Sequence, residues 1–157
     1  MRLNYIDNMD CLEGLRRIPD GSVHCCVTSP PYFNLRDYGI DGQIGAEQTP
    51  EEYVEKLVEV FREVHRVLRP DGTLWLNIGD SYATSSGNNP PTNPRNSCGH
   101  TAKKVPSGYK KKDLIGIPWM LAFALRADGW FLRQDIIWQK PEGAGWATIR
   151  GCRFSVD

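Results

Sequence analysis

The 157-residue sequence has no surplus of charge, since 19 Lys and Arg stand against 19 Asp and Glu. Attraction of the whole chain to nucleic acid or to an anionic membrane surface is therefore excluded as a general argument, and any such affinity has to come from a local cluster. No run of about 18 apolar residues occurs, which excludes a membrane-spanning helix. The opening MRLNYIDNMDCLEGL lacks the basic-then-apolar order of a secretory signal, so a soluble, cytoplasmic chain is expected. Five cysteines (Cys11, Cys25, Cys26, Cys98, Cys152) show no CxxC spacing. Neither a disulfide framework nor a closed zinc site is expected, and the thiols read as reduced and mostly buried. His24, His65 and His100 are not spaced as ligands, so no metal is expected. There is no internal repeat, and the length suits one core rather than two domains.

Helix and strand patterns alternate along the chain. Asp10 caps a short apolar period through Ile18, which Pro19-Asp20-Gly21 stops. Ser22 to Thr28 has the length and composition of a buried strand and runs straight into Ser29-Pro30-Pro31-Tyr32. Thr49-Pro50-Glu51-Glu52 is a capping box with proline at the first helical position, and the helix that follows carries Tyr53, Leu57, Val58, Phe61, Val64 and Leu68 on one face. Pro70-Asp71-Gly72 predicts its end, with a strand over Thr73 to Ile78 and Gly79-Asp80 beyond. A further helix is predicted over about Leu114 to Ala127, then a strand through WFLRQDIIWQKP. Such alternation predicts an α/β layered domain with mainly parallel pairing. Between Thr84 and Lys112 the period vanishes. Those 29 residues contain Arg95, Lys103, Lys104, Lys110, Lys111 and Lys112 and no Asp or Glu, and they read as a mobile loop of charge +6 with His neutral.

Ser29-Pro30-Pro31-Tyr32 carries the chemistry. Two consecutive prolines fix φ and remove two backbone donors, leaving carbonyl oxygens that can only accept. A serine hydroxyl adds an acceptor and a tyrosine a flat aromatic face. Together these suit an exocyclic amino group on a planar base, with its hydrogens on Ser29 and the Pro30 carbonyl and its ring against Tyr32. A rigid Pro-Pro turn after a strand is the alternative that folding alone would supply.

With these residues the sequence resembles the DNA amino-methyltransferases, which transfer a methyl group from S-adenosylmethionine to an amino nitrogen of cytosine or adenine. The shared pattern is Ser29-Pro30-Pro31-Tyr32 at a strand end, an upstream Asp10-Cys11 before a helix, IPDGSVHCCVTSPPY, FNLRDYG, a helix ending VLRPDGTLWLNIGDSY, and a later DIIWQKP. It covers roughly residues 4 to 141; residues 1–141 are read as the catalytic region, with 84–112 its mobile basic loop, and 142–157 as a divergent tail. The resemblance implies a Rossmann-like methyltransferase fold, double-stranded DNA as partner, and direct transfer to the amino nitrogen of a flipped base held by Ser29, Pro30, Pro31 and Tyr32. Serine at the first position favours cytosine N4 over adenine N6. The absence of a Pro-Cys dipeptide agrees with a route without a covalent enzyme intermediate.

The resemblance also implies cofactor contacts at Asp10 and Thr28, where a plain helix cap is the alternative for Asp10. Asn34 and Arg36 sit where a catalytic loop would face DNA, or are solvated. Asp80 borders the pocket or belongs to a turn. Trp138 matches the strand that walls the target base, or is core. Lys110, Lys111 and Lys112 contact phosphates, or solvate an insertion. Relatives with this motif order carry a later Phe-x-Gly-x-Gly cofactor loop, and nothing after Pro141 matches it, Gly143-Ala144-Gly145 lacking the flanking strand and helix. The expectation is a partial fold ending early, through truncation or a changed frame, and either completed by a second chain that supplies the loop or poorly active alone. Two other readings stand beside it: an inactive remnant that at most binds nucleic acid, and methylation of a protein glutamine.

Overall fold

The computed structural model describes residues 4–83, 105–138 and 149–157. The order is α1 (Cys11–Arg16), β1 (Val23–Thr28), α2 (Pro50–Val67), β2 (Leu68–Gly79), α3 (Ile117–Ala127), β3 (Phe131–Trp138) and β4 (Ile149–Ser155). The sheet order is β1-β2-β4-β3. Among the described residues no helix is long and apolar enough to cross a membrane.

α2 forms where the capping box predicts it. Thr49 Oγ1 accepts from the Glu52 N–H at 3.2 Å and Glu52 Oε2 accepts from the Thr49 N–H at 3.3 Å, satisfying two donors of the first turn reciprocally. Its apolar stripe, Tyr53, Val54, Leu57, Phe61, Val64 and Val67, is buried against the sheet together with Ile117, Leu121 and Leu125 of α3. β2 answers with every second residue, Leu74, Leu76 and Ile78, and β4 with Cys152 and Phe154, all buried. Each such side chain contributes about 1.5–3 kcal/mol of burial.

Pairing is mixed rather than mainly parallel. β1 runs parallel to β2, but β4 is antiparallel to both β2 and β3. The physical reason is connection length: ten residues separate β3 from β4, and a parallel crossover needs about a dozen or more. β4 falls within the segment set apart as a tail, and it lies between β2 and β3 in the sheet.

Three boundaries also shift. β2 starts at Leu68 instead of Thr73, because Pro70-Asp71-Gly72 forms a bulge inside the strand: Val23 pairs with Leu68 while Cys25 pairs with Thr73. Gly72 is required there, since a Cβ would lie 2.8 Å from the Arg69 carbonyl oxygen. α3 starts at Ile117 instead of 114, because Leu114 and Ile115 pair back along the segment after β2, with Ile115 N–H donating to the Ser81 carbonyl at 2.9 Å. The thiols are not mostly buried. Among the described residues only Cys152 is buried, Cys26 is half-buried, and Cys11 and Cys25 are exposed. Cys11 opens a surface helix, and Cys25 lies on the sheet face away from α2 and α3. Residues 84–104 of the expected mobile loop, Cys98 and His100 included, lie outside the described residues.

Thr49→Ala removes the side-chain half of the capping box and is expected to lower the free energy of unfolding by about 1 kcal/mol. The measurement is a urea transition, with a lower midpoint and an unchanged slope. An unchanged midpoint would show that the box adds nothing to α2.

Candidate active site

The pairing of β1 with β2 ends at Thr28, opposite Leu76, and Ser29 to Tyr32 then crosses the end of β2. Tyr32 lies directly on the β2 backbone at Gly79, where an added Cβ would stand 2.7 Å from its ring carbons Cδ2 and Cε2. Carbon atoms prefer about 3.5–4.0 Å, so only glycine admits the ring there. The Ser29 hydroxyl donates to the Tyr32 hydroxyl at 3.2 Å, which commits its proton and leaves lone pairs to accept.

The turn is anchored from beneath. Tyr53, in the first turn of α2, donates its hydroxyl to the Pro31 carbonyl at 2.7 Å. Its ring packs on buried Phe33 with centroids 5.5 Å apart, and the Phe33 carbonyl accepts from the Ser81 hydroxyl at 3.0 Å. Burial pushes the Tyr53 phenol well above its ordinary range, with Glu47 and Tyr32 adding to the shift. Gly45, at φ +96°, passes so close that a Cβ would lie 2.9 Å from the Tyr32 carbonyl oxygen. Its N–H donates to buried Glu47 at 2.8 Å, and Glu47 pairs with Lys56 at 3.1 Å.

The resulting cleft encloses about 290 Å³ and is lined by Ser29, Pro30, Pro31, Tyr32, Leu35, Arg36 and Tyr38. That is at the small end of ligand clefts, which run from roughly 300 to 1,000 Å³. Among the described residues nothing donates to the Pro30 carbonyl, whereas Pro31 is already bonded. The cleft therefore offers two acceptors, aromatic faces at Tyr32 and Tyr38, and one cation at Arg36. A small planar ligand that donates hydrogen bonds matches it.

The other sequence candidates fall in different places. Thr28 is half-buried at the strand end, one residue before the cleft. Asn34, at φ +53°, acts through its backbone, donating to the Gly45 carbonyl at 2.7 Å, and does not line the cleft. Lys110, Lys111 and Lys112 are exposed on a loop that pairs back to Ala83, just past the end of β2 on which Tyr32 rests. Asp10 lines a separate groove with Tyr5, Asp7, Met9 and Cys11, and its Oδ1 caps α1 by accepting from Leu12 N–H at 3.0 Å and Glu13 N–H at 3.1 Å. Trp138 is exposed and lines neither of these; it shares a third groove with Val27, Trp75 and Ile136. Asp80 caps α3, Oδ1 accepting from Gly116 N–H at 2.9 Å and Ile117 N–H at 3.0 Å, a role that Gly116 cannot fill.

Sequence reasoning missed Tyr53, Gly45, Glu47 and Tyr38 as parts of the site, and treated Gly79 as a turn. A glycine at the end of an apolar strand is a signal of close backbone approach and points to Gly79. Tyr53 gave no signal beyond its place on the apolar face of α2.

A Pro-Pro-Tyr cleft at the carboxyl end of the parallel pair of an α/β sheet is the place where folds of this class bind small ligands. The family model described as DNA methylase, covering N6 and N4 enzymes, matches residues 23–155, and the chain belongs to that family. It is 54% identical over 134 residues to the Type II methyltransferase M.Cfr9I of Citrobacter freundii, covering 84% of this chain and 45% of that protein. It is 57% identical over 136 residues to M.XycI of Xanthomonas campestris pv. cyanopsidis, again covering 84% and 45%. The chain thus spans about half the length of these curated relatives. In fold it is similar to the Thermus thermophilus protein solved in complex with S-adenosyl-L-methionine, with a TM-score of 0.59, 22% identity, and coverage of 93% of this chain and 50% of that one. The PvuII DNA methyltransferase, described as cytosine-N4-specific, gives a TM-score of 0.58 at 20% identity, covering 95% and 48%.

Tyr53 supplies a pH test. A phenol whose pKa is raised by folding contributes stability that is complete below its unfolded value, near 10, and is lost as pH rises through the folded value. Tyr53→Phe is expected to cost about 1 kcal/mol at pH 7 through the lost bond to Pro31. It should also remove part of the stability loss above pH of about 10. Urea unfolding at pH 7 and in the alkaline range measures both, and an alkaline loss identical in the variant would exclude Tyr53 as its source.

Proposed function

We propose that the chain carries the base-binding, catalytic half of an S-adenosylmethionine-dependent DNA amino-methyltransferase, acting on the exocyclic amino nitrogen of a flipped base, with cytosine N4 favoured over adenine N6. The observation that supports this reading is the cleft itself: Ser29, Pro30 and Tyr32 line it, and Tyr53 occupies the Pro31 carbonyl, which leaves Ser29 Oγ and the Pro30 carbonyl as the turn's acceptors for a base. Membership of the DNA methylase family supports DNA as the substrate. Serine at position 29 supports N4.

The chain's own residues then act as follows. Tyr32 stacks on the extruded base and offsets part of its unstacking cost. Ser29 Oγ and the Pro30 carbonyl accept the two amino hydrogens, which orients the nitrogen lone pair away from them and increases its electron density. S-adenosylmethionine, when bound, supplies a methyl group made electrophilic by the sulfonium. The residues present fit part of that cofactor: the groove of Tyr5, Asp7 and Asp10 combines an aromatic face with carboxylates, which suit an adenine ring and hydroxyl or ammonium groups, and Thr28 lies at the strand end beside the cleft. At the rim Arg36 offers a cation to the DNA backbone, and Lys110, Lys111 and Lys112 extend that charge.

Tritium transfer from S-adenosylmethionine to duplex DNA, with analysis of the modified base, tests the reading. Ser29→Ala and Tyr32→Ala are each expected to lower transfer at least a hundredfold, and N4-methylcytosine is the expected product. Normal transfer by either variant would remove that residue from the mechanism, and a folded chain that neither binds the cofactor nor transfers would favour an inert nucleic-acid-binding remnant. Replacing Lys110, Lys111 and Lys112 with Ala is expected to weaken DNA binding for all sequences and to flatten its salt dependence by up to about three units of slope. An unchanged slope would assign the cluster to solvation.

A further inference from the structure

The Pro-Pro turn sets one side of the cleft, and Leu35, Arg36 and Tyr38, from the segment that follows it, set the other. That segment belongs to neither a helix nor a strand, and all three of these side chains are exposed. At Gly39 and Gly42, with φ +68° and +75°, nothing lies within 4 Å of an added Cβ. Neighbours therefore do little to fix the loop, and ordering each of its residues costs conformational entropy. Its stem is tied down: Asn34 N–H donates to the Gly45 carbonyl at 2.7 Å, and Gly45 N–H donates to buried Glu47 at 2.8 Å. Those bonds stop short of Arg36 and Tyr38.

Gln43 ties the remainder. Its Nε2 donates to the Arg36 carbonyl at 2.9 Å, and its Oε1 accepts from the Tyr38 N–H at 2.7 Å. An amide suits this task because it carries a donor and an acceptor at one end, so a single side chain serves two backbone groups of opposite kind. The two partners flank Asp37, whose carboxylate accepts from the Gly39 N–H at 2.8 Å and closes the bend locally. Among the described residues no other side chain bonds to the backbone of Arg36 or Tyr38. Gln43 itself is half-buried and does not line the cleft.

We propose that Gln43 is a positioning residue for base recognition, holding the Tyr38 ring and the Arg36 guanidinium at the cleft before an extruded base and its phosphate arrive. The inference rests on the reading of the cleft as a base site, and it names the residue that keeps the loop side of that site in shape. A loop ordered beforehand removes the entropy of ordering it from the binding step. Tyr38 and Arg36 hold the base and its backbone equally before and during transfer, so loss of Gln43 raises KM for DNA and leaves kcat nearly unchanged. A residue that only supported folding would do the reverse, lowering the fraction of active enzyme, and with it the apparent kcat, at constant KM.

The test is Gln43→Met in the full chain, which keeps the length of the side chain and removes both bonds, assayed by tritium transfer to mixed-sequence duplex DNA. KM for DNA is expected to rise about tenfold with kcat within about twofold, and hydrogen exchange at the Tyr38 amide to quicken while that of β2 stays unchanged. Gln48→Met, at an exposed position nearby, should change none of these. In the Arg36→Ala/Tyr38→Ala background, adding Gln43→Met should raise KM no further, because both side chains it holds are gone. An unchanged KM, a loss confined to kcat, unchanged exchange at Tyr38, or a further rise in that background would each overturn the assignment. An unaltered chain that transfers no methyl to DNA sinks the functional reading instead. Titration with cytidine 5′-monophosphate, followed at the amides of Ser29, Tyr32, Arg36 and Tyr38, then decides the role of Gln43: Gln43→Met should weaken binding about tenfold, and equal affinity, or no binding to either chain, would overturn it.

Discussion

The hydrogen bond from the buried Tyr53 hydroxyl to the Pro31 carbonyl decides how β1 leaves the sheet. Two prolines in succession make the turn stiff but leave open which carbonyl points where. Committing Pro31 to α2 leaves Pro30, a lining residue of the cleft, with a carbonyl that accepts from no donor among the described residues, and it ties the geometry of the turn to the first turn of a helix. The capping box at Thr49 therefore matters beyond α2, because it holds the turn of helix on which Tyr53 is carried.

The end of β2 completes the arrangement with three consecutive residues, each serving a different element. Gly79 gives the Tyr32 ring its seat, Asp80 starts α3, and Ser81 holds the carbonyl of Phe33. A glycine, a carboxylate and a hydroxyl are the residue types these tasks need: no Cβ, a multiple acceptor for helix N–H groups, and a small donor. The segment Gly79-Asp80-Ser81 thus couples the base-facing turn to α3 without touching the cleft through Asp80 or Ser81.

Much of this was legible beforehand, for physical reasons that differ by element. α1, α2 and β1 follow from local signals, a cap, a proline at the first helical position, an apolar run, which act within a few residues. Ser29 to Tyr32 was legible because its chemistry is unusual for folding alone. What escaped was set by partners distant in sequence. Pro70-Asp71-Gly72 has the composition of a stop, yet pairing with Val23 and Cys25 draws it into β2 as a bulge. The tail around Gly151 and Cys152 shows no turn or cap signal, and it becomes β4 only because β2 and β3 flank it. Tyr53 and Gly79 lie 21 and 47 residues beyond Tyr32, and no local pattern marks a phenol for one particular carbonyl or a glycine for one particular ring.

The same distinction bears on the sheet's two faces. A sheet with water on one side alternates apolar and polar residues along each strand. β2 follows this, alternating Leu74, Leu76 and Ile78 with Thr73, Trp75 and Asn77, and around Trp75 on that side stand Arg153 together with Val27, Ile136 and Trp138. Antiparallel pairing of β4 with both neighbours tolerates a polar second face, and β4 puts Gly151, Arg153 and Ser155 there, with Gln134 of β3 beside them. Trp75 at the centre of that face is 36% exposed, its ring covered in part by the Arg153 guanidinium at 5.5 Å, so the apolar side chain is shielded within the sheet's own second face. The second face is therefore mixed, an apolar groove of Val27, Trp75, Ile136 and Trp138 beside polar Thr73, Gln134, Arg153 and Ser155, and it comes from the same alternation that fills the core beneath α2.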